Sequence, residues 1–175
     1  MEWRELMIDG YGRVIDGLDH ALGGVSRADL DQQPKPDCNS MGWLAWHLAR
    51  GEDAQVADLM GTEQLWLSEG WHAKFGRPAN PRDTGFGHTP EQVAAFRSPE
   101  SQVLIDYGRA CANRTQSYIT SLTPSELGRE LNEPQWQPLP TLGGRLVRIL
   151  ADDLQHIGQI GYVRGLLKGK GWQSY

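Results

Sequence analysis

Apolar residues recur every three or four positions along four long stretches of the chain, and the stretches between them are rich in Gly, Pro, Asp and Asn. This pattern predicts helices joined by loops. Over about residues 2–22, Trp3, Leu6, Met7, Tyr11, Val14, Ile15, Leu18 and Leu22 form one stripe, which stops at Gly23 and Gly24. A second helix, about 40–60, follows the cap-forming Asn39 and Ser40, aligns Met41, Leu44, Ala45, Leu48, Val56 and Leu59, and ends at Gly61. The third starts at Ser98 and Pro99 and carries Leu104, Tyr107, Cys111, Tyr118 and Leu122. The fourth, about 141–168, lines up Leu142, Leu146, Ile149, Ile157, Ile160, Val163 and Leu167. Between the second and third lies a long excursion with several Gly and Pro over 70–99, in which Thr89 and Gln92 read as a capping box for one short helix. Thr123 to Glu126 opens another short turn. No segment alternates with period two, so the expected fold is all-α, a four-helix bundle in a single domain over residues 1–175.

Composition narrows the function classes. Hydrophobic residues make up 39% of the 175, and with 21 glycines the chain has the ordinary content of a globular domain. A net charge of −5 gives no general attraction to phosphate backbones or anionic lipid, so nucleic acid is not expected as a partner. No run approaches the roughly 18 apolar residues of a membrane helix, and the start lacks the order of a signal peptide, which predicts a cytoplasmic protein. Cys38 and Cys111 show no CxxC spacing and read as reduced thiols, Cys111 as a small core residue.

Candidate chemistry gathers on the fourth helix. Asp152 and His156 stand four residues apart and therefore on one face, where both can reach one ion or make a charged hydrogen bond with each other. His47, bordering the buried stripe of the second helix, either completes three ligands from two helices or is a core histidine with satisfied ring nitrogens. A nitrogen and carboxylate donor set of this kind suits Zn, Ni, Fe or Mn. Asp153 falls within the apolar arc and needs a partner: the metal in place of Asp152, a ligating imidazole, or an arginine such as Arg145 or Arg148. Gln159 supplies an amide one turn beyond the proposed ion, or is a solvated residue beside a packed Gly158. Trp43 and Trp46 flank His47 as core aromatics, while Trp71 and His72 either roof a pocket at one end of the bundle or lie on a surface loop. His20 and His88 have no visible partner and read as structural. The chain has no GxSxG, Walker loop, GxGxxG or HExxH, so covalent serine catalysis and nucleotide binding have no support.

Three segments, residues 41–50 (MGWLAWHLAR), 70–76 (GWHAKFG) and 156–165 (HIGQIGYVRG), together resemble the DinB superfamily, in order and spacing over nearly the whole chain. The resemblance implies an up-up-down-down four-helix bundle, often dimeric, with a divalent metal held near one end by three side chains. Carried over by position, the ligands are His47, Asp152 and His156. The family commonly has histidine where Asp152 stands; a carboxylate there is similar to the Glu of mycothiol-dependent maleylpyruvate isomerase. The better-understood members join mycothiol, bacillithiol or related thiols to electrophiles, or isomerise with a thiol's help.

The expectation is therefore a metal-dependent thiol S-transferase, with Zn or Ni as cofactor, a low-molecular-weight thiol and an electrophile as substrates, and a homodimer left open. Asp153, Gln159, Trp43, Trp71 and His72 are its candidate supporting or substrate-facing residues, and the 70–88 loop bounds the electrophile pocket. Two other readings use the same residues: a non-catalytic or stress-associated metal-binding bundle, and a hydrolase in which water takes the open coordination position.

Overall fold

Four long helices carry the apolar stripes: α1 (Trp3–Leu22), α3 (Met41–Met60), α7 (Ser101–Ser121) and α8 (Leu142–Lys168). The computed structural model describes residues 1–135, 138 and 140–169. Short helices punctuate the connections: α2 (Arg27–Asp31), α4 (Leu65–Ser68), α5 (Trp71–Lys74) and α6 (Pro90–Ala94), with a 3-10 turn at Glu126–Gly128. The caps lie where residue chemistry places them. Ser40 accepts from the Trp43 amide at the start of α3, Gly61 ends that helix in the left-handed region at φ 65°, and Thr89 with Gln92 forms a complete capping box on α6.

The third long helix begins later than its sequence suggests. Ser98 does not cap it, because its amide donates to Asp31 Oδ1 and its carbonyl accepts from Arg27 Nε, which ties the segment to α2. Glu100 becomes the N-cap, and α7 starts at Ser101.

Around the bundle, α1 and α3 each lie between α7 and α8. Side-chain bonds fix the direction of each helix. Tyr11 reaches Leu146 O near the start of α8 and Arg164 reaches Ala21 O near the end of α1, so α1 and α8 run parallel. Gln116 bonds Ile8 O and Arg109 pairs with Asp19, so α7 opposes α1. Cys111 bonds Ala49 O and Tyr118 bonds Leu59 O, so α3 and α7 run the same way. The chain order is therefore up-down-down-up, which corrects the up-up-down-down arrangement implied by the family resemblance. The reason is visible in the connections. Parallel neighbours need a return path along the full helix, about 30 Å for the 20 residues of α3, and the one long excursion, between α3 and α7, supplies it.

Two apolar clusters fill the interior. One gathers Leu18, Leu22, Trp43, Leu44, Trp46, Trp66, Tyr107 and Ile160; the other gathers Tyr11, Val56, Ile119, Leu146 and Ile149. The buried polar residues Arg50, Glu52 and Asp53 of α3, Thr115 of α7 and Asp153 of α8 meet in the middle of the bundle. No described helix is long and apolar enough to cross a membrane.

Candidate metal centre

Because α3 and α8 are antiparallel neighbours, a residue in the first half of α3 meets one in the second half of α8. His47 and His156 meet in this way, ring edge to ring face, with centroids 4.8 Å apart and planes at 84°. Asp152, one turn before His156, brings its carboxylate to the same point. One ligand atom from each of His47, Asp152 and His156 lies within 4.8 Å of the other two. Asp152 Oδ2 stands 3.7 Å from His156 Nε2, too far for a hydrogen bond but suited to sharing an ion. The Asp152 side chain is 50% exposed, so the cluster opens to solvent on that side.

The tautomers are set by neighbours. His47 Nδ1 lies 2.5 Å from the carbonyl of Thr84, which can only accept, so Nδ1 holds the proton and Nε2 keeps its lone pair. His156 Nδ1 lies 2.8 Å from Gln159 Oε1 with the same result. Burial pushes the His47 pKa below its ordinary value, more than the Thr84 carbonyl raises it, so the ring stays neutral and ready to donate. Two imidazoles whose Nδ1 atoms are engaged and whose Nε2 atoms are free, with one open carboxylate, form a donor set that fits a divalent transition metal.

The excursion returns over this cluster and is anchored from beneath. Arg50, fully buried on α3, donates to Asp83 O at 3.1 Å, Pro81 O at 3.0 Å and Gln64 Oε1 at 2.9 Å, while its charge faces Asp53 at 3.3 Å. Asp53 is held in turn by Tyr107 Oη at 2.6 Å and by Arg114. These bonds fix the strip that delivers the Thr84 carbonyl. Gly85 follows at φ 88°, and a Cβ there would lie 2.9 Å from Trp43, 2.9 Å from Trp46 and 3.0 Å from His47 Nδ1. Trp43 stacks on His47 at 4.8 Å and donates from Nε1 to His88 Nδ1 at 3.2 Å; His88 Nε2 donates to Asp83 Oδ1 at 3.0 Å. Burial opposes ionisation of Asp83, yet Arg77 and His88 hold its carboxyl below the usual range.

The family model of the DinB superfamily matches residues 11–160. The chain belongs to the DinB superfamily. A solved structure titled "Crystal structure of the conserved protein of locus from Enterococcus faecalis" is similar to it, with 32% identity, 97% of this chain and 99% of that chain covered, and a TM-score of 0.88. No curated protein matches the chain.

Within this DinB fold the three proposed ligands converge, Gln159 touches His156, and Trp43 braces His47. Three other expectations need correction. Asp153 lies outside the donor cluster and bonds neither imidazole: the Nδ1 atoms of His47 and His156 bond Thr84 and Gln159 instead. Its expected partner Arg145 pairs with Glu133. Asp153 points into the bundle, where burial and the nearby Glu52 push its pKa well up, and Asp153 Oδ2 and Glu52 Oε2 accept no hydrogen bond. Trp71 does not roof the centre; it packs on Tyr107 at 5.1 Å and bonds Glu69. His72 faces Trp66, with ring centroids 6.4 Å apart. The part of the excursion that covers the centre is Thr84, Gly85 and His88; the sequence placed all three in the 70–88 loop expected to bound an electrophile pocket and named only His88 singly, as structural. The glycines at 85 and 87 were the available signal, since close backbone approach requires such residues.

Proposed function

We propose that the chain holds a divalent cation, zinc or nickel, with His47, Asp152 and His156 and uses it to transfer a low-molecular-weight thiol to an electrophile. The observation carrying this reading is the convergence of the three donors with both Nδ1 atoms already engaged, which leaves each Nε2 free for an ion. A cation bound by three side chains keeps open positions and stabilises a thiolate over its thiol at neutral pH. Thr84 and Gln159 hold the imidazoles in the required tautomer, Trp43 fixes the His47 ring, and burial keeps that ring unprotonated. The exposed side at Asp152 leaves an approach for the thiol and a path to solvent for its proton. The thiol chemistry itself rests on the likeness to thiol-dependent members of the superfamily.

Metal content tests the first half. Protein purified without chelator or affinity tag should carry about one ion per chain, lost in His156→Ala; no ion in either overturns the site. The second half is tested by incubating metal-loaded protein with mycothiol, bacillithiol and smaller thiols and a generic electrophile. Conjugation lost in His47→Ala supports the reading. Loaded protein inert with every thiol overturns the transferase assignment in favour of hydrolysis or of binding without turnover.

A further inference from the structure

Beside the metal centre, and sharing one residue with it, lies a cleft of about 370 Å³ between α8 and the segment joining α2 to α3. Its walls are Leu44 of α3, Tyr162, Val163 and Leu166 of α8, and Pro34 and Cys38 of the connecting segment. Its position relative to the ligands follows from helix geometry. Leu44 is three residues before His47 on α3, and Gln159 is three residues after His156 on α8. As the two helices run in opposite senses, both displacements point the same way, about 4.5 Å along the axes. The cleft therefore begins one turn from the donor atoms. Gln159, which borders it, is the residue whose Oε1 accepts from His156 Nδ1.

The lining indicates a class of ligand. Aliphatic and aromatic side chains form the walls, while the polar groups, Lys35, Asn39 and Gln159, are few. The volume falls within the range of small-molecule sites and exceeds the roughly 150 Å³ cavity that takes benzene. Tyr162 and Leu166, one turn apart, stay 69% and 56% exposed, leaving apolar surface uncovered next to the cleft.

We propose that this cleft binds a compact uncharged aromatic body of one or two rings, placing its polar end at Gln159 beside the metal centre. If the transferase reading holds, that body belongs to the electrophile, whose reacting carbon then lies within a helical turn of the thiol's position. Binding in the cleft requires neither metal nor turnover, so it is measured separately from that reading.

Cys38 provides the test. It is partly exposed in the cleft wall, whereas Cys111 is fully buried with its thiol pKa pushed up by burial. In the folded full-length protein, iodoacetamide should therefore modify Cys38 and spare Cys111, as read by mass spectrometry. The probe is 6-propionyl-2-dimethylaminonaphthalene, a two-ring uncharged compound whose fluorescence responds to apolar surroundings. Saturating probe should slow Cys38 modification at least fivefold, in wild type and in metal-free His156→Ala alike. Leu166→Glu, at an exposed position that the fold does not need, should weaken probe binding about tenfold while leaving metal content unchanged. Tyr162→Ala should weaken it severalfold. Cys38 modification unaffected by saturating probe overturns the proposal, as does probe affinity unchanged in both variants. A wild-type dimer that Leu166→Glu dissociates, with Cys38 labelling faster in the variant without probe, overturns it in favour of a contact between two copies of this chain.

Discussion

His47 donates its Nδ1 proton to the main-chain carbonyl of Thr84 across 2.5 Å, so a residue of the excursion decides which nitrogen of an α3 histidine faces the candidate metal centre. A backbone carbonyl cannot be removed by changing its own side chain. Gly85 is the position from which it can be displaced. A Cβ there would press on Trp43, Trp46 and His47 at a φ of 88° that L side chains rarely adopt. Gly85→Ala is expected to lower zinc affinity on the order of 10–100-fold while the helical circular dichroism stays intact. Calorimetric zinc titration of variant and wild type checks this.

Arg50 is the buried tether of the same strip. Removing its guanidinium leaves Asp53 buried with less compensation and frees the carbonyls of Pro81 and Asp83. Arg50→Met should cost on the order of 3–5 kcal/mol in urea unfolding. It should also weaken zinc binding, because the strip carrying Thr84 loses its anchor. A variant as stable as wild type would remove Arg50 from this role.

The exposed carboxylate is the most replaceable donor. Asp152→His supplies an imidazole nitrogen at the position where the superfamily commonly has one, and should retain about one ion per chain. Asp152→Ala removes the donor and should lower metal content after dialysis at micromolar free zinc. Elemental analysis of the two variants side by side decides the matter.

Stability should carry the mark of the buried carboxylates. Burial pushes the Glu52 pKa from 4.5 up to about 7, against the pull of Thr115 and Arg114, and Asp153 beside it is also raised. The folded state therefore holds a proton that the unfolded chain has lost. This contribution is fully present below about pH 4.5 and is lost as the pH rises through about 7. Through this contribution, wild type should melt at a lower temperature at pH 8 than at pH 5. Glu52→Gln, which keeps the amide uncharged across the range, should flatten the dependence and melt higher than wild type at pH 8. Thermal melts at the two pH values measure it.

The residues that could be read in advance were those whose role depends on local spacing. Asp152 and His156 share a face because they are four apart, and His47 borders a stripe whose period is plain, so both helices and the converging donors were legible. Helix direction was not read from the periodic stripes, since a stripe looks the same from either end. The lengths of the connections held that information, because a long excursion between α3 and α7 is what parallel neighbours require. Asp153 was misplaced for a related reason. Its position inside the apolar arc was clear, but its neighbour Glu52 comes from another helix, and a buried pair of carboxylates runs against the expectation that a buried charge finds its opposite. Thr84 was invisible because it acts through its backbone, which carries the same chemistry at nearly every residue. His88 lacked a partner in sequence because Trp43, 45 residues away, is joined to it only by the fold.

The shared direction of α3 and α7 has a consequence for how this chain can vary. A journey back along the bundle is unavoidable, and the residues making that journey are also those that set the His47 proton. Trimming this span would endanger connectivity and the donor cluster together, and additions around Asn80 and Arg82 would do the same, because the carbonyls that Arg50 holds are those of Pro81 and Asp83. Connectivity and the His47 proton are thus written into one stretch of chain, and diversity among relatives should thin out over residues 81–85.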